Sequence, residues 1–520
     1  MLRKTLFIAA CALALSACGS SLPQVPEGQA PHAYQNVVVH DPSIMEAADG
    51  MYYITGSHMA GARTADFVDW EQLSVNVNDQ KWFKDIQAEL GYAMAWGHTR
   101  TFWAGCLLQL KSGPYAGKYM MNYCVCQGSC PQAAIGYAIA DRPEGPYTDK
   151  GILVYSFGAR NTQNDYDQAT WNLLNAAERG DVDAFVDVTA PDGTVVRYNS
   201  NFMPNAIDPC TFYDKNGQLW MLYGSYSGGI FVLKLNEDGT IAPGQDYYGT
   251  YLMGNYHTPI EGPFMLYSPE TDYYYIFTSY GGLNANGGYN IRVARSRTPD
   301  GEFVDPAGYP MTECKGIAGQ TMGRQNAVIE KYGLKLMGNF EFEPYGADEK
   351  PSEAYMSPGH NSAVYDAKTG KYFLIFHSRF KGTGDRYQVR VHQMFMNEDG
   401  WPVVAPHRYS GDIDGVKFTK KDLAGEYKFV NHGTRTTGEI TNSSLITLHA
   451  DGTVSGAATG TWTMEKKGEM HYATFVLDGR TYKGVFHYQY DPANNVNRFT
   501  FTACGDSNET VWGSKAEVNG

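Results

Sequence analysis

Four residues able to do acid–base chemistry recur in one repeated setting. Asp41 opens DPSIMEAADGMYYITGS and Asp208 opens DPCTFYDKNGQLWMLYGS. Glu261 opens EGPFMLYSPETDYYYIFTS and His360 opens HNSAVYDAKTGKYFLIFHS. Each extended segment runs into a turn and then an aromatic-rich strand. In a fifth unit, WAGCLLQLKSGPYAGKYMMNY, Trp103 stands near the matching place. Repeats packed around an axis bring equivalent positions together. Three carboxyl groups and an imidazole gathered in this way suit the breaking of a glycosidic bond. One carboxyl protonates the leaving oxygen and another activates water or attacks directly. The third raises the pKa of the acid and holds its orientation.

Taken singly, these residues have plainer readings. Asp-Pro is a turn signal, and Asp305-Pro306 and Asp491-Pro492 read as ordinary turns. His360 alone fits a satisfied core histidine. It is the shared register of the four that points to a site.

The elements that must position them are short strands. The chain has 520 residues, enough for two or three domains, with 57 Gly, 38 Tyr and 14% aromatic residues. That composition fits many strands joined by tight turns. Units begin near residues 41, 103, 208, 261 and 360, each with three or four strand-like segments. The reading is all-β: a five-bladed β-propeller over residues 36–412. Segment 156–200 breaks the pattern and reads as an insertion carrying a short helix, ATWNLLNAAERG. Residues 413–520 show antiparallel strands with polar turns, a small β-barrel or sandwich without an acid–base constellation.

The first 17 residues have a basic start, an apolar stretch and small residues before Cys18, as secretory signals do. Leu15-Ser16-Ala17-Cys18 resembles a bacterial lipobox, which implies cleavage before Cys18, lipidation there and a membrane anchor. Residues 18–35 read as the tether. The expected location is the bacterial cell envelope. The formal net charge of −14 argues against nucleic acid and anionic surfaces and favours a neutral substrate. Cys124, Cys126 and Cys130 cluster with the wrong spacing for zinc and read as local disulfides or buried thiols.

The motifs HDP at Asp41, FWAG at Trp103, NAIDP at Asp208, IEGPF at Glu261 and GHNS at His360 resemble glycoside hydrolase family 43. Within it they look most like two-domain endo-α-1,5-L-arabinanases. FWAG departs from the commoner FWAP followed by Asp. The resemblance implies an inverting hydrolase of arabinan or arabino-oligosaccharides. Asp41 is then the general base, Glu261 the general acid and Asp208 the residue that tunes Glu261. It also implies that His360 helps hold a metal, usually calcium, largely coordinated by water. Trp96, Phe102 and Trp103 are candidate sugar-stacking walls. An exo-acting α-L-arabinofuranosidase or β-xylosidase on the same scaffold is the alternative, as is a glycan-binding lipoprotein that has lost catalysis.

Overall fold

The computed structural model describes residues 34–127, 132–156, 186–189, 193, 195–245, 248–411 and 416–516. The leader, Cys18, the expected helix in ATWNLLNAAERG and Cys130 lie outside them. Five antiparallel sheets form a propeller, and eight further strands close into a barrel. Four blades are four-stranded sheets with neighbouring strands in chain order. Their innermost strands are Ser43–Glu46, Cys106–Gln109, Cys210–Tyr213 and Ile260–Ser268. The fifth blade is built on Tyr355–Asp366, Lys371–Phe380, Tyr387–Met396 and Pro402–Val404. It is extended by Phe340–Glu341 and by Thr441–Asn442 from the C-terminal region.

Burial separates the two domains. Blades stack face against face, so Tyr119–Val125, Ala134–Ala140 and Leu219–Tyr223 are buried along their whole length. Their sequences are accordingly almost continuous apolar runs. Barrel strands have one wet face. Met470–Leu477 alternates, placing His471, Ala473, Phe475 and Leu477 inside. The barrel interior is filled by Phe475, Phe501, Trp462 and Tyr427. This decides between barrel and sandwich in favour of the barrel.

The ring closes between its first and last blades. Val389 N–H donates to the Val37 carbonyl, Tyr52 to Asp366, and Ser362 to the Pro42 carbonyl. Between blades two and three, Val186–Thr189 pairs with Val195–Tyr198 as a two-stranded ribbon outside the blades, as an insertion would. The helices Ile86–Trp96 and Met322–Ile329 went unread in the sequence. Ile86–Trp96 starts at Asp85, whose carboxylate accepts from the N–H groups of Gln87 and Ala88. Cys106, Cys124, Cys210, Cys314 and Cys504 are buried free thiols, so of the two readings Cys124 takes the buried thiol. No described helix is long and apolar enough to cross a membrane.

Candidate active site

Four of the five inner strands enter their blades through a left-handed kink. Regular pairing begins at Ser43, Cys210, Phe264 and Ser362. Two residues earlier stand Asp41 (φ 60°), Asp208 (φ 57°), Gly262 (φ 58°) and His360 (φ 42°). Asp tolerates this region because its short polar side chain bonds locally. The same count in blade two falls on Ala104. Glu261 and Trp103 therefore sit one residue ahead of Asp41, Asp208 and His360, which corrects the single register expected from the sequence. The kinks turn the side chains toward the axis, where all four functional residues meet.

Asp41 is almost fully buried. One carboxylate oxygen takes hydrogen bonds from His40 Nδ1 at 2.7 Å and from the Ser57 hydroxyl. The other faces His360 Nδ1 at 3.0 Å. Burial opposes its ionisation, but the His360 and His40 imidazoles hold the carboxyl well below its ordinary value. Asp41 is an anion ready to act as a base.

Asp208 and Glu261 are also buried. Asp208 accepts from the Gly262 N–H at 3.2 Å. Glu261 accepts from Ser225 at 2.9 Å and from the Tyr289 hydroxyl at 2.8 Å. Burial pushes both carboxyls up, Asp208 to about 7, with Glu261 and Asp41 adding to the rise against the pull of His360. Each therefore keeps its proton above the usual carboxylate range. One ionised acid beside a proton-holding pair is the division of labour that glycoside hydrolysis requires.

His360 is held by its N–H, which donates to Ser279 at 2.7 Å. Burial opposes its charge, yet Asp41 and Asp208 raise its pKa to about 9. Two glycines make room here. A Cβ on Gly262 would lie 2.9 Å from the His360 ring, and one on Gly359 would lie 2.0 Å from the Tyr289 ring. The GHNS motif thus owes its glycine to the tyrosine that steadies Glu261.

Behind Asp41 lies a network that the sequence reading missed. His40 and His377 stack with centroids 4.0 Å apart. The Arg379 guanidinium faces His377 Nε2 at 3.2 Å and His40 Nε2 at 3.3 Å. A donor at His40 Nε2 leaves the ring proton on Nδ1, pointed at Asp41. His40 was already visible in HDP; Arg379 is 339 residues away and had no local signal.

His40, Asp41 and His377 are near enough together to ligate a cation, but the Arg379 charge and their mutual bonds occupy that place. His360 fits better. Its Nδ1 is committed to Asp41, which leaves Nε2. The surrounding carboxylates favour positive charge, and the adjacent Asn361 has a buried amide oxygen without a partner. Calcium prefers oxygen ligands, so a single imidazole fits only an ion that keeps most of its water, and Nε2 would have to give up its proton to take part.

The aromatic candidates divide. Trp96 ends its helix in the core at 1% exposure, its ring edge-on to Tyr155, and Phe102 is equally buried. Neither is a sugar-stacking wall, because packing has covered the faces a sugar would need. Trp103 is half-buried, donates to the Cys126 carbonyl at 2.7 Å, and lies 5.6 Å from the His58 ring.

A family model described as "Glycosyl hydrolases family 43" matches residues 34–171 and 185–331. One described as a "C-terminal lipocalin-like domain" matches residues 406–513. Extracellular endo-alpha-(1->5)-L-arabinanase 2 of Bacillus subtilis is 43% identical, over 97% of this chain and 98% of the relative. The extracellular endo-alpha-(1->5)-L-arabinanase of Thermotoga petrophila is 42% identical, over 92% and 94%. The crystal structure of a glycoside hydrolase family 43 protein from Bacillus licheniformis superposes with a TM-score of 0.81 at 42% identity, covering 94% of this chain and all of that one. With five blades, the axial acids and near full-length likeness established, this chain belongs to glycoside hydrolase family 43.

Proposed function

We propose that the protein cleaves internal α-1,5-L-arabinofuranosidic linkages of arabinan with inversion. The observation that carries this reading is the split among its axial carboxyls: Asp41 ionised, and Asp208 and Glu261 retaining a proton. The names of the two near full-length relatives support the substrate and the endo action. Asp41 takes a proton from the attacking water. Glu261 gives its proton to the leaving oxygen, while Asp208, beside Gly262, keeps Glu261 protonated and in place. Ser225 and Tyr289 fix the Glu261 carboxyl. Trp103 is the proposed sugar contact. His360, through Nε2, would hold a hydrated calcium ion, whose charge would order water and offset the three acids.

Lipidation at Cys18 would tether the enzyme outside the cytoplasm, in keeping with the extracellular relatives. The test is product length from linear and debranched arabinan. Intermediate oligosaccharides appearing first support endo action; monosaccharide alone supports an exo enzyme; no release favours a binding protein. Glu261→Gln should keep the fold and lose roughly 10²–10⁴-fold in kcat. Retained hydrolysis in that variant overturns the acid assignment. Chelation should lower wild-type activity and calcium should restore it; indifference to both removes the metal from the reading.

A further inference from the structure

The ring gives the two sides of a bound polymer different walls. Asp41 belongs to blade one, and in a ring of five the interval between blades three and four lies opposite it. Glu261 opens blade four. A segment that leaves on an oxygen protonated by Glu261 must extend over that interval.

Two loops cover the interval, and both are strained. After Leu219–Tyr223 come Tyr226 at φ 48° and Ser227 at φ 25°. Between Thr250–Met253 and Ile260–Ser268 stand Asn255, Tyr256 and His257 at φ 94°, 56° and 57°. Five residues with side chains in the left-handed region are costly, and such strain gathers at functional sites whose surroundings hold it. The His257 N–H donates to the Ser227 carbonyl and the Tyr226 N–H to the Ile260 carbonyl, both at 2.9 Å. The Gln325 side chain donates to the Tyr256 carbonyl at 3.0 Å.

These loops set two rings beside the acid. Ser225, which bonds Glu261, is followed by Tyr226, whose ring is half-buried and whose hydroxyl donates to the Gly281 carbonyl at 2.9 Å. Burial, and then the nearby Glu261 and Asp208, push that hydroxyl's pKa up. The His257 ring follows at 5.4 Å, tilted by 54°. His257 is exposed, and its ring nitrogens meet no partner among the described residues. The protein still crowds the ring enough to hold its pKa below the ordinary histidine value. An open ring so enclosed lines a groove. Kept neutral, it offers one donor and one acceptor nitrogen, a match for sugar hydroxyls.

We propose that the leaving segment of the polymer runs over Tyr226 to His257, and that His257 contacts its second sugar. That sugar is a neutral arabinofuranose by the arabinan-cleaving reading, on which this proposal rests.

Arabinopentaose labelled at its reducing end tests the contact, because the labelled product is the leaving segment. His257→Gly in the full-length protein removes the ring, and glycine adopts the left-handed backbone freely. Registers that place two or more sugars past the cleaved bond should lose roughly three- to tenfold in kcat/KM relative to the register that places one. Labelled monosaccharide should therefore gain over labelled di- and trisaccharide. A uniform loss of rate with product lengths unchanged makes His257 a support for the Glu261 loop and overturns the proposal, as does wild-type behaviour. A wild-type chain that leaves both arabinopentaose and arabinan uncut overturns the arabinan reading itself.

Discussion

The proposed acid and base are separated by their surroundings rather than by residue type. Neighbouring imidazoles hold Asp41 ionised, whereas burial raises Asp208 and Glu261. The pH profile should follow from the signs of those shifts. Glu261, raised by burial, loses its proton as pH rises, so kcat/KM should fall only above the ordinary carboxylate range. The depressed Asp41 stays ionised well into acid, so activity should persist below the ordinary carboxylate pKa. His40→Phe removes one donor from Asp41. Its carboxyl should then protonate at higher pH, moving the acid limb upward. Loss of a hydrogen bond to a charged group should lower kcat roughly 10- to 100-fold, with KM little changed. An unmoved acid limb would reduce His40 to a packing residue.

Among the elements, the kinked entries to the inner strands decide where side chains point. Asp-Pro at residues 41 and 208 and Gly-Pro at residue 262 mark three of them in the sequence. The one-residue lead of Glu261 could not be read there, because it depends on the pairing shift between Glu261 and Phe264. Gly262→Ala tests this element. Its Cβ would meet the His360 ring at 2.9 Å, and φ of 58° strains any L side chain. The variant should cost about 1–2 kcal/mol of stability from backbone strain and should lose more activity than stability, since His360 and Asp208 both shift. Calorimetry and assay of the same preparation measure the two losses.

Across the whole molecule, the barrel is fastened to the propeller by buried charge. Glu349 of blade five pairs with Lys428 at 3.1 Å and with Arg498, and Arg498 also reaches Asp491 at 2.8 Å. Removing one member of a buried pair leaves its partner's charge uncompensated. Glu349 is half-buried and Arg498 keeps Asp491, so Glu349→Gln should cost about 1–3 kcal/mol in urea unfolding. A second fastening lies nearer the site. The buried Lys335 ammonium donates to the carbonyls of His432 and Arg435, both at 2.8 Å. The adjoining Thr437 backbone packs on Gly288, next to Tyr289. The barrel thus supports the loop that carries a Glu261 partner, through contacts between segments about 150 residues apart in the chain.

Residue type and spacing alone determined the all-β class and the five units, and singled out Asp41, Asp208, Glu261 and His360 as the candidates for acid–base chemistry. These follow from local causes: turn residues, strand periodicity and the chemistry of side chains. Tertiary packing decided the rest. It buried Trp96, which a sequence shows only as an aromatic. It set Glu261 one residue ahead of its counterparts and brought Arg379 to His40. Each of these depends on which distant surfaces meet, and so on the packing of whole blades rather than on any short stretch of chain.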